Sequence, residues 1–197
     1  MVEHTAENRG VAGSIPALAT CLAALALAGL AAAAAPKPEA VRPCSSRGDT
    51  DRPVQLPARI GARLGPLVIW HTIADPLSTP GPGAWRYYIK APILLPARAV
   101  AMLVVPPEAR QLVAFDAGSY GVGAGAGRRW VSSVQFQACA ANVRAFPQAY
   151  KGTVGKYTAF PFGFGLARRS LCVPLEVWLP GRTTPIRRLV ALGRRAC

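Results

Sequence analysis

Short apolar runs broken by glycine and proline constrain the fold of this chain more than any other feature. The runs are GPLVIWHTI (65–73), AWRYYIKAPILL (84–95), AVAMLVV (99–105), RQLVAFDAG (110–118), RWVSSVQFQACA (129–140), GKYTAF (155–160), LCVPLEVWL (171–179) and TPIRRLVAL (184–192). Between them stand the turn formers STPGPG, VPPEA, GVGAGAG, FPFGFG and LPGRTTP. Val, Ile, Trp, Tyr and Phe suit the half-buried pleat of a strand. No long window repeats at the helical period, and only ACAANVRAF (138–146) has room for a helical turn. Nineteen glycines and nineteen prolines in 197 residues argue the same way, because both interrupt helices. The pattern predicts an all-β fold. It reads as a single sandwich, immunoglobulin-like or related, of about seven to eight short strands stapled by two disulfides.

The C-terminal segment RSLCVPLEVWLPGRTTPIRRLVALGRRAC (169–197) shows how such a fold ends. Leu171, Val173, Leu175, Val177 and Leu179 fall on one face of a strand, and Cys172, Pro174, Glu176 and Trp178 on the other. Pro174 has no N–H for a ladder, so the strand should be an edge or be bulged there. LPGRTTP then turns the chain into IRRLVAL, which predicts a hairpin. Cys44, Cys139, Cys172 and Cys197 follow the leader, an even count that fits two disulfides in an exported domain. Three pairings are possible. The expected one is Cys139–Cys172 with Cys44–Cys197, joining two strands and tying the N-terminal arm to the last residue.

The leader carries its own message. CLAALALAGLAAAAAP (21–36) resembles the apolar core of a secretory signal and ends in alanines that offer A-x-A cleavage sites, for example Ala33-Ala34-Ala35. Residues 1–35 are therefore read as signal, 36–60 as an extended Pro-rich arm, and 61–197 as the sandwich. The alternative is an uncleaved apolar anchor, since the run is marginally long enough to span a bilayer. The flank MVEHTAENRG holds Glu3 and Glu7 against Arg9, unlike a basic signal flank. Gly-Ser-Ile-Pro (13–16) is what the T-arm of a tRNA gene gives when read as protein, so residues 1–20 are expected to be an artefact of a start placed too far upstream.

Charge and chemistry narrow the function classes. The formal net charge is +14, from 23 bases against nine acids. Such an excess suits an anionic polymer or lipid surface, or is simply a skewed solvated surface. The candidate anion-binding residues are the pairs Arg128-Arg129, Arg168-Arg169, Arg187-Arg188 and Arg194-Arg195. Neighbours on a strand point to opposite faces, so only pairs at strand ends can gather into a patch. Elsewhere such charges guard sheet edges.

Catalytic signals are weak. His71 is the one histidine after the leader, and a hydrolase would need it as base with Asp75 or Asp116. No G-x-S-x-G accompanies it. YGVGAGAGRRW (120–130) lacks the order of a phosphate loop and reads as a hairpin loop. Trp85, Tyr87, Tyr88, Trp130 and Trp178 either fill the core or build a stacking platform for sugars or bases. No cysteine–histidine spacing suits a metal, and no cofactor motif is legible. Arg47-Gly48-Asp49 matches an integrin-type tripeptide, too short to carry weight.

The ending Cys172-Val173-Pro174-Leu175-Glu176-Val177, closed by Gly193 and Cys197, resembles that of small exported actinobacterial proteins of unknown function. VQFQAC (134–139) and FPFGFGL (160–166) fit the same resemblance. It implies an exported β-domain and brings no catalytic residues with it. The expectation is a secreted or extracytoplasmic, monomeric, non-catalytic interaction module. Its partner would be a protein or an anionic cell-envelope polymer, with nucleic acid disfavoured. The alternatives are an anionic-surface binder working through arginines and a hydrolase using His71.

Overall fold

A computed structural model describes residues 35–48, 55–72, 76–78, 84–118, 129–141, 144–146, 150–153, 155–194 and 197. The leader (apart from Ala35), the Gly-rich loop from 119 to 128, Asp49, Asp75, Arg128 and Arg195 lie outside these residues. No helix among them is long and apolar enough to cross a membrane. The protein is nearly all β and sandwich-like, as the punctuation predicts.

Sixteen strands are present among the described residues, more and shorter than expected. One sheet holds β1 (Ala40–Arg42), β10 (Ser133–Gln137), β7 (Val100–Val104), β15 (Leu171–Trp178) and β16 (Ile186–Leu192), in that order. A second holds β13 (Tyr157–Phe160), β6 (Ile93–Pro96), β3 (Leu67–Ile69) and β2 (Ala62–Leu64). A third holds β4 (Leu77–Ser78), β5 (Tyr87–Lys90), β14 (Gly163–Leu166), β8 (Val113–Asp116) and β9 (Trp130–Val131). A separate hairpin joins β11 (Arg144–Phe146) to β12 (Tyr150–Thr153), so the helical turn expected across 138–146 gives way to a strand at its end.

The strand number rises because single apolar runs turn corners between sheets. AWRYYIKAPILL is β5 in the third sheet and β6 in the second, with Ala91-Pro92 between them. RWVSSVQFQACA breaks at Ser132 into β9 and β10, again in different sheets. FPFGFG, expected as a turn, is a corner and a strand. Pro161-Phe162 is a corner, and Gly163–Leu166 is the central strand of the third sheet. The two Pro-containing corners lie side by side, where the Ala91 N–H donates to the Phe162 carbonyl at 3.0 Å. Strands that bend from one sheet into another close the corners of a packed β-structure.

One core lies between the three sheets. Five of the six phenylalanines, Phe115, Phe136, Phe160, Phe162 and Phe164, are completely buried. Phe162 touches three other rings, with centroids 5.2–5.5 Å apart, two edge-on and one tilted. On β15, Val173, Leu175 and Val177 are buried, which is the alternation read from the sequence. Pro174 faces Leu189 on β16, while the ladder to β7 begins only at Glu176. On its β7 side the strand is therefore an edge at Pro174, where a missing N–H costs nothing.

The four cysteines after the leader are all paired, and the expected pairing is corrected. The disulfides are Cys44–Cys139 and Cys172–Cys197. β1 runs parallel to β10, with Arg42 opposite Phe136, so the residues following each strand meet. The hairpin register sets Cys172 opposite Ala191, and Gly193, at φ 107°, turns the chain just beyond. Cys197 is thus held near its own hairpin partner and never reaches the arm. β1 lies in the stretch read as an arm. It is extended, and it is also hydrogen-bonded into a sheet.

Candidate functional site

Two outer sheet faces carry the side chains capable of recognition. On the third sheet, Phe164, Ile89, Phe115 and Val131 face the core, so their strand neighbours face outward. Tyr88, Ala114 and Gly165 stand in one row there, with Asp116 beside Trp130 in the next. The two glycines of β14 make the floor. A Cβ on Gly165 would come within 2.6 Å of the Trp130 ring, and one on Gly163 within 2.2 Å of the Tyr88 hydroxyl. Trp130 thereby lies flat on the sheet, 6.2 Å from Trp85 and 6.4 Å from Tyr88 between ring centroids. Of the five aromatics picked out in the sequence, three gather here, Tyr87 packs against the core, and Trp178 belongs to another face.

Trp178 sits with Met102 and Val104 on the outside of the five-stranded sheet that ends in β16, apart from the main core. The register explains the grouping: Gln135, Met102 and Trp178 stand in one row across β10, β7 and β15. Residues 35–38 cross this row as a strap. Glu39 pins the strap at its base, its N–H donating to Ser133 Oγ at 3.0 Å and its carboxylate accepting from Ser132 N–H and Oγ. Between strap and sheet lies a cleft of about 230 Å³, lined by Pro36, Pro38, Met102, Trp178 and Arg182 among others. Trp178 is 6% exposed, and its Nε1–H is buried without an acceptor among the described residues. An orphan donor of this kind costs about 1–3 kcal/mol. Nothing in the Pro-rich composition of residues 36–38 announced that they would roof a tryptophan.

The arginines separate by location. Arg187 reaches outward to the carboxylates of Glu108 and Glu176, the latter at 3.6 Å. Arg188 stands opposite Leu175 on the other face of β16, an exposed charge on an edge strand. Arg129 donates to the Glu39 carbonyl at 2.9 Å. Arg168, Arg169 and Arg194 come to one end of the sheet, because β15 starts where β16 finishes. The Arg194 N–H donates to Ser170 Oγ at 3.2 Å and fixes that end. Glu108 is held below its ordinary carboxyl value by a hydrogen bond from its own backbone N–H, with Arg187 adding to the effect.

Among the described residues, the hydrolase candidates His71 and Asp116 do not meet. β3 ends at Ile69, and His71 takes a left-handed backbone conformation (φ 57°) beyond it. It is exposed, stacks on Trp70 at 5.0 Å, and makes no hydrogen bond to a carboxylate among the described residues. Asp116 is buried on the aromatic face, its Oδ1 accepting the Gly118 N–H at 3.0 Å. Asp75 lies outside the described residues. Among those residues no cluster of His, Cys, Asp or Glu could hold a metal ion. Comparison with known proteins finds no matching family model, no matching curated protein and no matching solved structure.

Proposed function

We propose that the chain is an exported, non-catalytic β-domain that acts as an extracytoplasmic interaction module. The two disulfides support an oxidising compartment. The observation that carries the binding reading is the apolar island of Met102, Val104 and Trp178 on an outer sheet face, where polar residues are the rule. Trp178, buried apart from the main core and beside a cleft with its indole N–H unpaired, is the residue on which this reading rests.

The test uses full-length protein expressed with its leader. Intact mass should begin near Pro36, and thiol titration should find no free cysteine. The purified protein should then sediment with washed cell envelopes of its host. Trp178→Phe, which keeps an aromatic ring in the buried position, should weaken that retention at least tenfold, and its unfolding midpoint read alongside shows that the fold is kept. Equal retention of the variant would remove the outer face from the account, and free thiols would remove export.

The convergence of Arg168, Arg169 and Arg194 favours a second reading, an anionic envelope polymer bound at that end of the sheet. Its signature is an affinity that falls linearly in logarithm with salt. Affinity insensitive to salt between 50 and about 200 mM would exclude it.

A further inference from the structure

We infer that the cleft between the residue 35–38 strap and Trp178 is a binding site for a carboxylate carried on a short apolar group. Three observations converge on that chemistry. Much of the wall is hydrocarbon: Pro36, Pro38, Val100, Met102 and Leu179 line the space beside the amide of Gln135. No acidic residue lines it, and its one charged lining residue, Arg182, is exposed with no carboxylate or other hydrogen-bond acceptor on its guanidinium among the described residues. The third is the Trp178 Nε1–H, a buried donor without an acceptor among the described residues. Trp70 Nε1 is unpaired as well, and it does not line this cleft.

An occupant must therefore offer an acceptor to the indole, a negative charge to the guanidinium and apolar bulk to the prolines and Met102. A carboxylate on a short hydrocarbon or an apolar residue does all three. A sugar fits poorly, because it would stack on an open ring face and Trp178 is 94% buried. The volume of about 230 Å³ limits the ligand to a headgroup with a few carbons inside the cleft. The strap is held at Glu39 by Ser132 and Ser133, and the Ser133 hydroxyl also donates to the Lys37 carbonyl at 3.4 Å, a long bond that gives way when residues 36–38 shift to let an oxygen reach Nε1. A ligand that pairs the indole only when the strap has moved binds the shifted state preferentially, which is the condition for drawing the equilibrium toward it. The residues that carry the inference, Trp178, Met102 and Arg182, lie beyond the leader and are present whether or not it is removed.

The probe is octanoate, titrated into the oxidised full chain and read from the indole N–H resonances in nitrogen-15 correlation spectra. The resonance missing from Trp178→Phe should move downfield saturably. Octanol and octylamine should bind at least tenfold more weakly, and Arg182→Gln should weaken octanoate about tenfold. Phenylalanine keeps the ring in place, and unfolding midpoints confirm that both variants fold. A blocked tripeptide ending in a free leucine carboxylate, set against its amide, tells a peptide end from a lipid acid as the source. If octanoate leaves the Trp178 resonance unmoved, or if octanol and octanoate bind alike, the inference is wrong. Intact mass on the same sample reports separately on leader removal, so the failure of export and the failure of the site cannot be confused.

Discussion

At the scale of single residues, the core turns on Phe162. Its flanking proline and glycine made FPFGFG look like a loop, yet phenylalanines at 160, 162 and 164 keep the period of two that marks a strand face. The signal was present, and local punctuation masked it. Phe162 occupies the corner where two sheets meet and touches Phe115, Phe136 and Phe164. Truncation to alanine leaves a cavity that three rings cannot collapse into, because each is fixed by its own strand. Phe162→Ala should cost about 3–5 kcal/mol in denaturant unfolding. A loss under about 1 kcal/mol would mean that the corner repacks freely. Glu108 makes a smaller, pH-dependent point. Its carboxyl lies below the ordinary value of 4.5, so the stability it adds is present above that pH and is lost as pH falls through the folded value. Unfolding midpoints measured against pH should therefore be flatter on the acid side in Glu108→Gln, and parallel curves would show that the ion pair with Arg187 contributes nothing.

At the scale of elements, the C-terminal hairpin was legible and the disulfides were only half so. Alternation in LCVPLEVWL and the turn in LPGRTTP specify the β15–β16 pair. Val177 opposite Ile186 then forces Cys172 opposite Ala191, so the local staple follows from the register. The other bridge depends on β1 joining β10 in parallel across ninety-odd residues, and no local pattern encodes a long-range pairing. The cleft residues were hidden for the same reason: Trp178, Met102 and Pro36 come from distant segments. The two bridges should differ in energetic weight. Cys44–Cys139 closes a separation of 95 residues, and Cys172–Cys197 one of 25. Loop-closure entropy makes the longer bridge worth about 1 kcal/mol more. Replacing each pair with serines and comparing urea midpoints should show the larger loss for Cys44/Cys139, and the reverse order would mean that the C-terminal staple holds native structure that the hairpin alone does not.

At the scale of the whole molecule, the net charge of +14 must sit on the outside of a core that is almost entirely apolar. The few acids seen on the surface are already engaged: Glu39 with Ser132, and Glu108 and Glu176 with Arg187. Most of the positive field therefore has no counter-charge within the described domain, and the folded state repels itself. Salt opposes that repulsion by shortening the Debye length from about 30 Å at 0.01 M to about 10 Å at 0.1 M. The same salt weakens the exposed Arg187 pairs, which are short-range and individually small. Repulsion summed over many arginines outweighs a few surface pairs, so sodium chloride should raise the thermal midpoint, by roughly 2–4 °C for each kcal/mol screened. Calorimetry across that salt range decides the sign. A rising midpoint describes a domain whose own charge burdens its fold. A flat or falling midpoint would mean that the pairs around Arg187 already balance the field.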